Sequence, residues 1–311
     1  MRMVEIDPRA AELRDRLRGT LIAAAATPMT GPGEIDLDVV ARYLSGLVAD
    51  GATGLAVLAH TGRGPFLAAA DRVADRAAVI ERAAALDVPV LVGVGGGTCD
   101  AAEQARAAAD LGAHGVLVFP SEGDRAALHE QVWQAARLPM LAFDLYTRPC
   151  PPDVMREILR HPGVAGLKTA LLSDAMGCQR AIALARESGR LAITGEDRMF
   201  GPSLLWGAEA ALVGVAAAAV GVTAEVMRAF REPDLRAFER ASGRLDRLAA
   251  ATFTEPMEGY VQRMLWLAAA EGRIPGTHAH DPYGPGLPER ERLHLQAQDF
   301  GTAQVRAGSP A

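Results

Sequence analysis

The chain has 311 residues, half of them hydrophobic, and a net charge of −6, so it can bury one large core. No basic stripe stands out, which argues against nucleic acid as a partner. The charged N-terminus, Met1–Arg18, lacks the apolar run of a signal peptide, and the runs Leu21–Ala26 and Leu212–Val222 are too short, or too close to turn residues, to cross a membrane. Three cysteines (Cys99, Cys150, Cys178) without metal-type spacing point to a reducing cytoplasm.

Short apolar runs alternate with longer amphipathic ones. The runs predict strands at Leu21–Ala26, Gly54–Ala59, Val88–Val94, His114–Phe119, Leu138–Phe143, Val164–Lys168, Leu191–Thr194 and Ala210–Val215. Helices are expected between them, at Asp36–Asp50, Leu67–Leu86, from a Thr98 cap to Leu111, Asp124–Ala136, Pro152–Arg160, Asp174–Glu187 and Met199–Trp206. Gly51, Gly112 and Gly207 stand where helices stop, and Pro89 and Pro139 open strands where a missing N–H does least harm. Runs without alternation suit strands buried on both faces, and eight strand–helix units in a row predict a closed (β/α)8 barrel of the TIM type. A doubly wound sheet more often uses fewer strands. From Thr223 onward only helices follow, at Thr223–Phe230, Asp234–Ala251, Pro256–Ala270 and Glu289–Gln298, with a Pro/Gly-rich loop at Gly272–Pro288. The expected organisation is a lead-in at 1–18, the barrel at 19–220 and a C-terminal helical extension at 221–311.

Lysine occurs at one position, 168; every other basic side chain is Arg, and Asn is absent. Arg replaces Lys in a solvated ion pair, but a guanidinium stays protonated and cannot condense with a carbonyl. Composition alone leaves open whether Lys168 is a chance survivor or a nucleophile. Position decides: Lys168 falls at the end of the sixth strand, where barrel active sites sit, after the small or apolar residues Ala165, Gly166 and Leu167. Other residues at strand ends are Thr27, His60–Thr61–Gly62, Phe119, Phe143–Asp144, Gly195–Glu196–Asp197 and Gly214. The run Gly93-Val94-Gly95-Gly96-Gly97 lacks dinucleotide spacing and reads as a tight barrel turn. The segment His278-Ala279-His280-Asp281 has no supporting ligands and reads as a solvated loop, so no metal and no cofactor is expected.

Several segments together resemble one family: Ala26-Thr27-Pro28-Met29 with Gly33-Glu34-Ile35-Asp36, His60-Thr61-Gly62-Arg63, Gly93-Val94-Gly95 with Thr98, Gly166-Leu167-Lys168-Thr169, Gly195-Glu196-Asp197, Gly207-Ala208 and Arg273-Ile274-Pro275. In order and spacing, over about residues 17–295, they are similar to the dihydrodipicolinate synthase / N-acetylneuraminate lyase superfamily of class I aldolases. The resemblance implies that Lys168 condenses with the ketone of pyruvate or another 2-oxo acid. It also implies that the backbone N–H groups of His60, Thr61 and Gly62 hold the substrate carboxylate, a nest of a kind suited to anions. It implies a homo-oligomer as well, a dimer or a tetramer.

The departures are specific. The family's proton-relaying Tyr after the fifth strand is Phe143 here, its helper Thr is His60, and its aromatic Tyr pair after the fourth strand is Ser121-Glu122. His60, with an ordinary pKa of about 6.5, is the candidate replacement, or else it only shapes the pocket. Arg148 aligns with an Arg that binds a second acidic group, or pairs with a nearby acid. Asp144, Glu196 and Asp197 orient substrate or hold loops, and Tyr146 is a packing aromatic unless it swings in. Three functions follow: a Schiff-base lyase of aldolase type; a 2-oxo-3-deoxy sugar acid dehydratase using the same imine; and a non-catalytic paralogue that binds an oxo acid.

Overall fold

The computed structural model describes residues 5–68, 70–96 and 100–300. Eight parallel strands close into a barrel: β1 Leu21–Ala24, β2 Gly54–Val57, β3 Val90–Val94, β4 Gly115–Val118, β5 Met140–Leu145, β6 Val164–Ala170, β7 Leu191–Thr194 and β8 Ala210–Val213, with β8 paired back to β1. Every strand residue is buried, as the unalternating apolar runs require when helices cover the outside and side chains fill the inside. Ile22, Leu91, Leu117, Leu141, Leu191 and Ile193 belong to one interior layer.

The helices are α1 Pro8–Leu17, α2 Leu37–Ala49, α3 Val73–Ala84, α4 Ala101–Asp110, α5 Arg125–Ala136, α6 Pro152–Arg160, α7 Ala175–Glu187, α8 Phe200–Leu205, α9 Val220–Arg231, α10 Leu235–Thr252, α11 Tyr260–Ala270 and α12 Glu289–Gln296. Asp36, Asp124, Asp174 and Asp234, read from sequence as first helical residues, instead stand one place outside as N-caps. Their carboxylates accept the orphan N–H groups of the first turn. Gly51, Gly112 and Gly207 end their helices at φ of +115°, +85° and +104°, where a Cβ is strained. The expected Thr98 cap lies outside the described residues, as does Cys99; the N-terminus of α4 is capped by Asp100.

Three expectations are corrected. The lead-in contains α1, whose Ala10, Leu13 and Leu17 pack with the barrel's interior layer. The helix expected at Leu67–Leu86 begins as two short 3₁₀ turns and becomes α-helical only at Val73. Strands β5 and β6 run two residues further than their apolar runs. The pairs Asp144↔Thr169 and Leu145↔Ala170 continue the ladder past Phe143↔Lys168, so backbone pairing overrides the change in side-chain polarity.

The loop after β2 is the tightest part of the barrel mouth. Leu58 and Arg63 adopt the left-handed region at φ of +53° and +54°, a strain that surrounding packing must hold. The chain folds back so closely that a Cβ on Gly93 would lie 2.1 Å from the Leu58 carbonyl oxygen. Arg76 clamps the same turn, donating to the carbonyls of Gly64 (2.9 Å) and Gly93 (3.3 Å). The glycine at 93 is therefore a packing requirement. Gly93→Ala is expected to destabilise the fold by about 3 kcal/mol, at the upper end of overpacking costs, because backbone rather than a flexible side chain must move. Urea denaturation would measure this, and a cost under about 0.5 kcal/mol would contradict it.

Candidate active site

Strand register brings Phe143 of β5 beside Lys168 of β6. The Lys168 side chain is buried, at 5 % exposure, and its Nζ stands 4.3 Å from the centroid of the Phe143 ring. It makes no hydrogen bond and no ion pair among the described residues. Space for it exists because position 195 is glycine: a Cβ there would fall 2.5 Å from Lys168 Cε. Burial pushes the Lys168 ammonium well below its usual range, while Asp197 and then Glu196 pull partly back. Burial likewise pushes Asp197 up, against the Val215 N–H that donates to its Oδ1 at 2.7 Å. A desolvated pair of this kind favours the uncharged amine, which is the nucleophilic form.

Beside the amine, the loop after β2 meets the start of α11. Tyr260, 4 % exposed, stacks on Phe253 with centroids 4.5 Å apart. Its hydroxyl lies 3.2 Å from Thr61 Oγ1 and 3.3 Å from His60 Nδ1. The other His60 nitrogen, Nε2, faces Glu258 Oε1 at 3.5 Å, and Tyr146 donates its hydroxyl to the same oxygen. Burial lowers the His60 pKa to about 4 despite Glu258. This corrects the expectation of an imidazole titrating near neutrality: the desolvated ring is neutral at pH 7. Burial pushes Glu258 up, but His60, Tyr146 and Arg63 hold it below the usual carboxylate range; with His60 neutral, Tyr146 and Arg63 are the partners that count near pH 7.

Arg63 organises this corner. It is 1 % exposed, and its guanidinium donates to Asp281 Oδ2 (2.6 Å), Glu258 Oε2 (2.8 Å) and the Glu258 carbonyl (2.8 Å). Asp281, read from sequence as part of a solvated loop, is instead buried as the partner of Arg63. Ala279 is buried as well, and among the described residues no three His, Cys, Asp or Glu side chains are grouped so that they could hold a metal ion.

The other expected residues divide. Thr61 is buried and bonded to Tyr260, and the Gly62 carbonyl accepts the Thr27 hydroxyl at 2.8 Å. Glu196, fully buried, spends its oxygens on the N–H groups of Leu171 (2.7 Å) and Leu172 (2.8 Å) and on the Thr169 hydroxyl, which holds the loop after β6 in place. Asp144 accepts the Cys150 N–H at 2.8 Å. Arg148 turns outward to an exposed pair with Glu122 at 2.9 Å, away from Lys168. Tyr146 lines a cleft of about 740 Å³ together with Leu171, Leu172, Arg198, Met199 and Met257. Tyr260 and Glu258 were not legible in the sequence, because nothing in a C-terminal helical pattern marks its first turn as facing the barrel mouth.

The model of the dihydrodipicolinate synthetase family matches residues 17–298. The chain belongs to this family. A 4-hydroxy-tetrahydrodipicolinate synthase of Mycolicibacterium gilvum is 29% identical over 300 residues, covering 92% of this chain and 95% of the relative. The 4-hydroxy-tetrahydrodipicolinate synthase 1 of Streptomyces coelicolor is 33% identical over 176 residues, covering 53% of this chain and 56% of the relative. Among solved structures, a prophage protein of the dihydrodipicolinic acid synthase family from E. coli in complex with pyruvate superposes with a TM-score of 0.78 at 21% identity, covering 89% of this chain and 96% of that one. An N-acetylneuraminate lyase from Mycoplasma synoviae gives 0.75 at 18% identity, with 91% and 96% covered. Inside the family frame, this member has Phe143 against the amine and a buried arginine in the loop after β2.

Removing one member of a buried ion cluster leaves uncompensated charge, at about 3–5 kcal/mol. Arg63→Met should cost about that much in chemical denaturation, since Glu258 and Asp281 lose their shared cation. A loss below about 1 kcal/mol would show that the cluster does not hold the loop to the extension.

Proposed function

We propose that the protein is a Schiff-base-forming lyase of aldolase type, acting on pyruvate or another 2-oxo acid through Lys168. The observation that carries this reading is the amine itself: buried, unpaired among the described residues, and walled by an aromatic ring instead of a carboxylate. The names of the relatives support it, being synthases and lyases, and one related structure holds pyruvate.

The N–H groups of His60, Thr61 and Gly62 would take the substrate carboxylate; no acceptor for them is found among the described residues. With the acid held there, the keto carbon faces Lys168. The amine adds to it, water leaves, and the protonated imine draws electrons from the adjacent carbon. The resulting enamine adds to an aldehyde or, in reverse, is left when one is expelled. Gly195, Glu196 and Asp144 support the site through space and loop geometry rather than by open side chains. Arg148 would reach a second acidic group only by leaving Glu122.

On this reading the chain divides into a lead-in at 1–18, the catalytic barrel at 19–220 and the extension at 221–311, whose described part, 221–300, closes one side of the barrel mouth. The assembly is a homo-oligomer in the cytoplasm. Exposed Phe66 and Val73 support the first point. The second accords with the free buried thiols Cys150 and Cys178 and with the lack of any membrane-crossing helix among the described residues.

Incubation with pyruvate and borohydride should place a reduced adduct on the peptide containing Lys168, and Lys168→Arg should remove it. The labelling rate should rise with pH, since only the uncharged amine attacks. Because burial depresses the Lys168 pKa, the rise should level off below the ordinary lysine value of 10.5. It should show no inflection near 6.5, because His60 is already neutral there. No adduct across a screen of 2-oxo acids would favour a non-catalytic oxo-acid-binding protein; release of water without aldehyde from a 2-oxo-3-deoxy sugar acid would favour the dehydratase. His60→Ala should slow labelling far more than Phe143→Leu, and equal rates would remove His60 from the mechanism.

A further inference from the structure

Imine formation needs protons moved at two steps, and the strand-five position that would supply a hydroxyl holds Phe143, which has none to give. A buried phenol beside the loop after β2 comes from the helical extension. Tyr260, at the first position of α11, is, among the described residues, the phenol that is both almost fully buried and bonded to residues of the loop after β2. Its ring fits against Gly214, just beyond β8, where a Cβ would come within 3.1 Å of Tyr260 Cε2 and 3.0 Å of Thr61 Oγ1. The next residue, Val215, donates its N–H to Asp197, the acid nearest in influence to Lys168. The hydroxyl thus stands at the same end of the barrel as the amine. A continuous polar path leads from it outward through His60 to Glu258, whose side chain is 38 % exposed and is shared with Tyr146 and Arg63.

We propose that Tyr260, delivered by the C-terminal extension, is the proton donor and acceptor for imine formation at Lys168, reprotonated from solvent through His60 and Glu258. The inference rests on the imine reading of Lys168. In the first step the amine lone pair forms the C–N bond, and the carbonyl π pair moves to oxygen. That oxygen takes the phenol proton, and the phenolate takes one back from the new ammonium nitrogen, leaving a neutral carbinolamine. In the second step the carbinolamine hydroxyl takes the phenol proton as its C–O bond breaks. The nitrogen lone pair forms C=N, and water departs. The phenolate, held by Thr61, then takes the Nδ1 proton of His60, while Nε2 takes a proton that reaches Glu258 from solvent. One proton is consumed and one water released, as a protonated imine requires. Hydrolysis of the product imine runs the path backwards and returns His60 to its starting tautomer. A neutral imidazole with one N–H suits this transfer, because it passes a proton without storing a charge.

The arrangement also gives Arg63 a purpose in the chemistry. By fixing both the backbone and the carboxylate of Glu258, it sets the outer end of the path at a constant distance from His60. Arg63 and Thr61 are positioning residues; Tyr260 is assigned the contact with the reacting oxygen.

The test is rapid mixing with pyruvate, quenching with borohydride at increasing times, and intact-mass readout of the fraction labelled. Tyr260→Phe keeps the ring stacked on Phe253 and removes only the hydroxyl. It should slow the approach to the labelled plateau by about 10²-fold or more, within the usual range for general acid–base groups, and leave the plateau unchanged. Glu258→Gln should slow it by a smaller factor, about tenfold, and should also change the dependence of the rate on pH. The double variant His60→Ala with Tyr260→Phe should be no slower than Tyr260→Phe alone, since members of one path are not additive; a purely structural role predicts additive losses and an unaltered pH profile. Tyr260→Phe labelled within threefold of the wild-type rate would overturn the relay while leaving the imine reading intact. Wild-type protein that acquires no label overturns the imine reading itself. Should Tyr260→Phe fold poorly, Thr61→Val and Glu258→Gln carry the decision: wild-type labelling rates in both would exclude the path.

Discussion

The buried guanidinium of Arg63 is the point at which two parts of the chain far apart in sequence meet in one site. It comes from the loop after β2, and its partners, Glu258 and Asp281, come from the helical extension 195 and 218 residues later. Burial alone would lower its pKa, and the two carboxylates reverse that and hold it raised. A cation removed from water in this way is tolerable only with full pairing. These contacts tie the loop with its two left-handed turns to the segment that leads into α11.

The amine obeys the opposite rule. Lys168 is nearly as buried as Arg63, but neither Asp197 nor Glu196 pairs with it closely: Asp197 is turned to the backbone of Val215, and Glu196 to those of Leu171 and Leu172. Spending both acids on N–H donors leaves the lysine with an aromatic face and two carboxylates near enough to influence it but committed elsewhere. The chain thus keeps one cation fully neutralised as a structural rivet and another deprived of partners, so that desolvation favours its reactive form. The two are separated by a chain of hydroxyl and imidazole groups that is uncharged near neutrality.

The family frame and the local departures fit together in this light. Where the resemblance implies a hydroxyl on β5, the structure has a Phe143 ring that completes the wall around the amine. In the loop following β2, where the resembling segment ends on Arg63, the compensating acids Glu258 and Asp281 lie in the extension. Arg63 is matched by residues distant in sequence, and on the proposed relay Phe143 is matched by Tyr260. That is how a site can be rebuilt while the barrel that carries it stays constant.

Much of this was decided by the sequence alone. Period and punctuation were enough for eight strand–helix units, because strands buried on both faces are mostly apolar and Gly51, Gly112 and Gly207 mark helix ends that take positive φ. The uniqueness of Lys168 and its place at the end of the sixth strand together singled it out as the candidate nucleophile, because guanidinium cannot replace an amine that attacks carbon. Helix α1 escaped the sequence reading because only two leucines, Leu13 and Leu17, stand among mostly charged and small residues, so its apolar stripe is narrow. The added length of β5 and β6 escaped because backbone pairing, not side-chain polarity, sets where a ladder ends. Tertiary structure alone decided that His60 is neutral, that Arg148 faces solvent, that Asp281 is a buried partner, and that Tyr260 and Glu258 reach the mouth. Each of these depends on which distant segment excludes water from a side chain, and desolvation by a remote neighbour leaves no mark on the local sequence.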